Sequence, residues 1–252
     1  MATGEYQGKR FENGIASKIV DSLTIEEALQ ININQEPFTV TMRTPGDDPA
    51  LVRGMLHTEG VLKNTLYRPD IVLKKENKTG IVTVADLSIP KNELGKGYSN
   101  SRSLLSVSSC GICGKQQLED LKVSGDKIVK KVSFSSESLL HMFGTLQKHQ
   151  ETFKKTGGSH AAGIFDKKFQ LLTIREDIGR HNAVDKCVGS LLLKDHLKNG
   201  MYLLVSGRVS YEIVSKAFLA KIQVIVAVSA CSSMAVDFAK EFGICLIGFT
   251  RE

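Results

Sequence analysis

The sequence predicts an α/β protein (α+β overall), with a small N-terminal α+β domain followed by a larger three-layer α/β domain. Three observations carry this expectation. Apolar residues alternate from Leu29 to Met42, the period of half-buried strands. Short continuous apolar runs then alternate with helical stretches through the last part of the chain, as strands covered on both faces do. Between the two patterns lies a segment rich in Ser, Gly and Lys with little periodicity.

The elements follow in order. Residues 1–14 are polar and contain Gly, and are expected as a flexible tail. Residues 15–134 form the first domain. Leu29, Ile31 and Ile33 face Phe38, Val40 and Met42 across Asn34-Gln35, a hairpin signal. In Thr44-Pro45-Gly46-Asp47-Asp48-Pro49, Asp48 is expected to cap a helix with Pro49 at its first position. Leu51, Val52, Met55 and Leu56 recur at helical spacing, and Gly60 is a natural stop. Strands are expected at Ile71–Leu73 and Ile81–Leu87, and a mobile loop at 88–117.

The second domain spans 135–252. Ser135 or Ser136 caps a helix with Leu139, Phe143, Leu146 and Phe153 along one face. Strands at Ala161–Phe165 and Gln170–Ile174 flank the turn Asp166-Lys167-Lys168. A helix near His181–Leu197 follows. Strand Tyr202–Ser206, helix Ser210–Lys221, strand Val224–Ser229, helix Ser232–Phe242 and strand Cys245–Phe249 complete the pattern.

Composition excludes several classes. Of 252 residues, 42% are hydrophobic, enough to build a core rather than a disordered chain. No apolar run approaches the ~20 residues of a membrane helix, and the first residues lack the apolar centre of a secretory signal. A cytoplasmic protein is expected. The net charge of +6 is spread in short runs, and Trp is absent. That suits a phosphate-bearing ligand better than nucleic acid.

Five motifs carry chemistry. The strongest is Ser108-Ser109-Cys110-Gly111-Ile112-Cys113-Gly114-Lys115. Two thiols three positions apart can meet each other or share one electrophile. The glycines let a bulky partner approach, and Lys115 favours the thiolate. A metal site needs about four ligands, and Cys187, Cys231 and Cys245 are remote and unpaired. A thioredoxin-type pair would open a long helix. Two inert thiols are the plain alternative. Cys187 and Cys245 lie among apolar residues and read as core.

The second motif, Thr156-Gly157-Gly158-Ser159-His160-Ala161-Ala162, offers an anion nest or a plain turn. The third, Arg175-Glu176-Asp177-Ile178-Gly179-Arg180-His181-Asn182-Ala183-Val184-Asp185-Lys186, packs charge and hydrogen-bonding groups into a strand-to-helix junction. Arg180 can fork onto a phosphate and an Asp can orient His181, or the whole is a local salt-bridge network. The fourth and fifth, Ser206-Gly207-Arg208-Val209-Ser210 and Ser229-Ala230-Cys231-Ser232-Ser233, place small polar residues at successive strand ends, where ligands of such sheets sit. His57, His141, His149 and His196 read as surface or packing residues on helices.

Taken together, these segments resemble the FdhD family of formate dehydrogenase accessory sulfurtransferases. The resemblance runs from Met42-Arg43-Thr44-Pro45-Gly46-Asp47 and His57-Thr58-Glu59-Gly60, through Ser109–Lys115, Thr156–Ala162, Arg175–Lys186 and Ser206–Arg208, to Leu246–Phe249. It implies a sulfur carrier that accepts sulfur from a cysteine desulfurase as a persulfide on Cys110, with Cys113 as partner thiol. It implies transfer to a molybdenum or tungsten bis-molybdopterin guanine dinucleotide, bound as substrate before insertion into the formate dehydrogenase apoenzyme. It implies a homodimer and a cytidine-deaminase-like C-terminal domain. The cofactor-binding residues then expected are Phe249, Thr250, Arg251, Glu252, Gly157, Gly158, His160, Arg180, His181, Asn182, Ser206, Gly207, Arg208 and Ser229. Zinc deaminases need a Glu two residues after the first ligand, then Pro-Cys-x-x-Cys. His160-Ala161-Ala162 and Ala230-Cys231-Ser232-Ser233 lack these features, so neither zinc nor deamination is expected.

Overall fold

The structure is a computed structural model that describes residues 2–101, 125–129 and 132–250. Strands β1 (Thr3–Glu12) and β2 (Ile15–Thr24) form an antiparallel ribbon. The first of these replaces the tail expected over 1–14. Asn13 and Gly14, at φ 50° and 79°, make the positive-φ two-residue turn that Asn-Gly favours. The strand escapes an apolar-pattern reading because nearly every residue on it is exposed.

Strands β3 (Glu27–Ile33), β4 (Glu36–Arg43), β5 (Asp70–Lys75) and β6 (Val82–Ser88) form a sheet of order β4-β3-β6-β5. Leu29, Ile31 and Ile33 are fully buried and pack with Leu51, Val52 and Leu56 of helix α1 (Asp48–Thr58). The helix begins differently from expectation. Asp47 occupies the cap position in a left-handed conformation and makes no side-chain cap bond. Asp48 is instead committed to the fully buried Arg43, with Nε at 2.8 Å. Arg43 also donates to the carbonyls of Val82 and Glu27, which ties helix to sheet.

The first part of the segment expected as a mobile loop is anchored. A 3₁₀ turn at Lys91–Glu93 leads into helix α2 (Lys96–Ser101), and the Tyr98 ring stacks on Phe38 with centroids 5.9 Å apart. Its amides at Gly95 and Gly97 reach the carbonyls of Val61 and Gly60.

Helix α3 (Ser136–Lys148) opens on Ser135, whose side chain accepts from the Ser138 N–H. It ends before Phe153, which lies exposed on a separate helix α4 (Glu151–Thr156) rather than on the buried face of α3. Then follow β7 (His160–Phe165), β8 (Leu171–Asp177), α5 (Arg180–Leu193), β9 (Tyr202–Val205), α6 (Tyr211–Leu219), β10 (Val224–Ala227), α7 (Ser233–Phe242) and β11 (Cys245–Ile247). The sheet order is β11-β10-β9-β7-β8, with β8, β9, β10 and β11 running in one direction and β7 antiparallel between β9 and β8. Alternate residues of its strands face two cores. Leu203, Val205, Ile225 and Ala227 pack with α5, α6 and α7, while Leu204, Val224 and Val226 pack with α3. Cys187 is buried, as expected for a core thiol, but Cys245 is exposed because β11 is the sheet edge.

Helices α1 and α5 cross with their backbones in contact. A Cβ on Gly54 would lie 1.8 Å from the Asp185 carbonyl oxygen, and one on Gly189 1.8 Å from that of Ala50. Only glycine permits this approach. The crossing fixes the first sheet's helix against the middle of α5, the element whose first turns present the third motif.

Candidate ligand site

At one end of the five-stranded sheet the carboxyl ends of β8, β9 and β10 meet the start of β7 and the first turn of α5. Ser206 closes β9 onto β7: its hydroxyl accepts from the Ala161 N–H at 2.9 Å, and its own N–H donates to the Ala161 carbonyl at 3.0 Å. Gly207 follows. A Cβ there would lie 3.1 Å from His160 Nδ1 and 3.6 Å from Arg180 Cδ. The missing side chain therefore leaves a cradle bordered by an imidazole and a guanidinium.

The electrostatics of this cradle favour an anion. Burial lowers the His160 imidazole from its ordinary range, and the Arg180 charge lowers it further, opposed by Asp177 and assisted by Arg208. His160 is thus a neutral hydrogen-bonding group, and the positive charge rests on two arginines. Arg208 is exposed. Arg180 Nε is buried without a partner, which is costly unless a ligand supplies an acceptor. One strand further along, the Ser229 carbonyl accepts from the Phe249 N–H at 3.1 Å, and the Thr250 N–H reaches the Ala227 carbonyl at 2.9 Å. Thr250 Oγ1 is a second buried polar atom without a partner. The exposed Phe249 sits at φ 55° between them.

Beside the cradle opens a cleft of about 690 Å³ lined by His160, Ser206, Ile178 and Val228 and by Gln147, Gln150 and Phe153. The last three escaped the sequence reading. Phe153 falls on an apolar spacing that mimics the core face of α3, and no Gly or Pro marks the break after Lys148. Glu176 fixes this wall: its carboxylate accepts from the N–H groups of Thr152 and Phe153 at 2.7 and 2.8 Å, and from Ser159 Oγ at 2.7 Å.

Other expected site residues are committed elsewhere. Gly157, at φ 64°, ends α4; its N–H donates to the Phe153 carbonyl and that of Gly158 to Thr156 Oγ1. Both amides are occupied, so this pair is a helix cap and not an anion nest, although both glycines line the cleft. Asn182 donates to the Met42 carbonyl and Asp177 Oδ1, and accepts from Thr41. His181 is buried with Nε2 3.4 Å from Ser210 Oγ. Asp177, fully buried, accepts from the Thr44, Gly179 and Asn182 groups and pairs with Lys186 at 2.7 Å. Asp185 pairs with Lys216, which also reaches Glu59 and Thr58. Burial pushes the Asp185 carboxyl up to about 6 against the pull of Lys216. Cys110, Cys113, Arg251 and Glu252 lie outside the described residues. Among the described residues no group of three or more His, Cys, Asp or Glu is placed to hold a metal ion, and no helix is long and apolar enough to cross a membrane.

Fold and site together define a mixed α/β protein that offers a cationic, partly unsatisfied cradle at a strand edge. The model of the FdhD/NarQ family matches residues 24–252, and the chain belongs to that family. It is 40% identical to the sulfur carrier protein FdhD of Streptomyces avermitilis, covering 96% of this chain and 88% of the relative. It is also 40% identical to the protein of that name from Mycobacterium tuberculosis, covering 92% and 87%. A crystal structure described as a formate dehydrogenase accessory protein from Desulfotalea psychrophila superposes with a TM-score of 0.77 at 19% identity, covering 100% of this chain and 94% of that one, and shows the same fold.

Proposed function

We propose that this protein is a sulfur carrier that serves formate dehydrogenase maturation. The observation that carries the reading is the family match over residues 24–252, which takes in both the Cys110–Cys113 pair and the cradle. Cys110 thiolate attacks the outer sulfur of a persulfide on a cysteine desulfurase, which leaves as a thiolate, and the persulfide now rests on Cys110. Cys113 thiolate then attacks Cys110 Sγ. The outer sulfur departs as sulfide to the metal of the cargo, two thiols are oxidised to a Cys110–Cys113 disulfide, and a dithiol reductant restores them.

The cargo is the bis-molybdopterin guanine dinucleotide of molybdenum or tungsten. Its phosphates suit the cradle of Arg180, Arg208, His160 and Gly207, where two guanidinium groups and an absent side chain meet at the strand ends. Ser229, Phe249, Arg251 and Glu252 extend that site in this reading, on a C-terminal domain of cytidine-deaminase type in a homodimer. The formate dehydrogenase apoenzyme receives the loaded cargo.

Mass spectrometry after incubation with desulfurase and cysteine should show one added sulfur on the peptide bearing Cys110, absent in Cys110→Ala. An unmodified wild-type peptide would refute the carrier role. The cradle also favours a second reading, a cargo chaperone without sulfur transfer. That reading requires the Cys110→Ala, Cys113→Ala double variant to support an active formate dehydrogenase in cells lacking the wild-type gene.

A further inference from the structure

Strands β1 and β2 stand apart from both sheets' cores. With ten residues in each strand the ribbon reaches about 33 Å. Its side chains are exposed almost to the root, where Thr24 Oγ1 meets Thr156 Oγ1 of α4 at 2.8 Å and the Ile25 N–H reaches the Ala2 carbonyl. Two strands without a third strand or a covering helix are marginal in water. Among the described residues no strand pairs with the outer edge of either one.

The two edges differ in character. β1 carries Gly4 and Gly8, which present no side chain, and Lys9 and Arg10, which guard an edge with charge. β2 carries Ile15, Ile19 and Leu23 on one face and Val20 on the other. Ile15 is 72% exposed, Val20 65% and Leu23 44%. The turn fixes the parity of the ladder. Glu12 and Ile15 flank the two-residue Asn13-Gly14 turn as a hydrogen-bonded pair, so odd-numbered residues of β2 bond to β1 and even-numbered ones turn N–H and C=O outward. The Ser22 N–H agrees, since it donates to the Asp21 carboxylate at 2.9 Å and not to β1.

We propose that the outer edge of β2 pairs antiparallel with β2 of a second copy of this chain, about a two-fold axis through Ile19, so that the two ribbons form one four-stranded sheet. Such an axis sets residues equally distant from Ile19 opposite each other. Ile19 meets Ile19 and Ile15 meets Leu23 at the positions that carry no hydrogen bonds, where facing side chains come closest. Lys18 meets Val20 and Ser17 meets Asp21, so no like charges face. The neighbouring registers are worse. An axis through Lys18 or Asp21 opposes like charges, one through Val20 sets Ile19 against Asp21, and one through Ser17 runs the pairing into the Asn13-Gly14 turn. The ribbon holds three acidic and three basic side chains, so it has no net charge with which to select a charged partner or repel its own copy. A self-complementary edge of this kind fits an isologous contact between identical chains. The pairing assigns a surface to the homodimer of the preceding section, and it rests on that reading for the presence of two copies.

Sedimentation equilibrium of the full-length chain should show a dimer. Val20→Pro removes an outward-facing N–H and keeps every bond to β1, so it should weaken the dimer about tenfold or more with an unchanged melting curve. Ile19→Cys sets two thiols across the axis with Cα atoms about 4.5 Å apart, within disulfide reach. Mild oxidation should then join two peptides bearing position 19, and Ile15→Cys protein mixed with Leu23→Cys protein should cross-link where neither does alone. The cross-links decide even where proline loosens the ribbon itself. A dimer that Val20→Pro leaves intact and that gives no cross-link at position 19 overturns the ribbon pairing while the homodimer stands. A monomeric wild-type chain overturns both.

Discussion

Two polar clusters share the junction from β8 to α5, and they differ in how completely their hydrogen bonds are made. Asp177, Asn182 and Lys186 are buried, and each is bonded to the segment around Thr44 as well as to its neighbours. Arg180, in the same turn, points toward His160 and Gly207 and leaves Nε without an acceptor. The first cluster holds the junction against the N-terminal sheet. The second uses the position so gained to present a charge. Residue type alone does not separate these roles, since each cluster carries a long cationic side chain, Lys186 in the first and Arg180 in the second. Completeness of bonding does, because a buried group that lacks a partner is retained at a cost to stability.

The sharpest way to break the comparison is at Asp177. Asp177→Ala strips acceptors from three donors and leaves the Lys186 ammonium buried without its carboxylate. Removing one partner of a buried pair costs about 3–5 kcal/mol. Urea unfolding should show that loss. A loss near zero would mean that the junction is not held by this network.

His57 gives the next effect, through pH. Burial, with the Arg53 and Lys221 charges, lowers its imidazole from 6.5 to about 4, opposed only by the Leu219 carbonyl. The unfolded chain therefore binds the proton first. The contribution, about 3 kcal/mol in full, is present above pH 6.5 and is lost progressively as pH falls toward 4. His57→Gln, which keeps a donor for the Leu219 carbonyl, should flatten the slope of unfolding free energy between pH 6.5 and 4.

Gly189→Ala tests whether the junction also depends on the helix crossing. The added Cβ must displace the Ala50 carbonyl from 1.8 Å, and overpacking of this kind costs about 1–3 kcal/mol. Thermal unfolding reads it directly. A neutral result would show that α1 shifts freely on α5.

What the sequence disclosed follows the same division. The sheets and helices were legible where one face is buried, as in Leu29–Met42 and in the apolar strands at Tyr202 and Val224, because burial writes its period into the chain. The β1–β2 ribbon was not legible by period, since it buries little; its Asn13-Gly14 turn was the available signal. Phe153 was misread because spacing alone cannot show that a helix has ended. At the site, Ser206, Gly207, Arg180 and His160 were legible as small or charged residues at strand ends, and the structure brings them together. Asn182 and the Gly157-Gly158 pair carried an equally suggestive composition, yet their bonds are spent on Met42, Asp177 and the end of α4. Partners distant in sequence decide this, and a single chain read linearly does not reveal them.

The smallest expected effect on stability is the most informative about function. Arg180→Ala removes a group whose Nε has no partner, so unfolding free energy should move by no more than about 0.5 kcal/mol. The same change removes one of the charges that hold His160 low. The His160 imidazole should then titrate closer to its ordinary range, seen as an upward shift in an NMR titration of its ring protons. Binding of a guanine nucleotide at the strand edge should fall at least tenfold, the loss of one charge-assisted hydrogen bond. A large loss of stability with binding retained would place Arg180 with Asp177 among the groups that hold the junction, and the distinction drawn between the two clusters would fail.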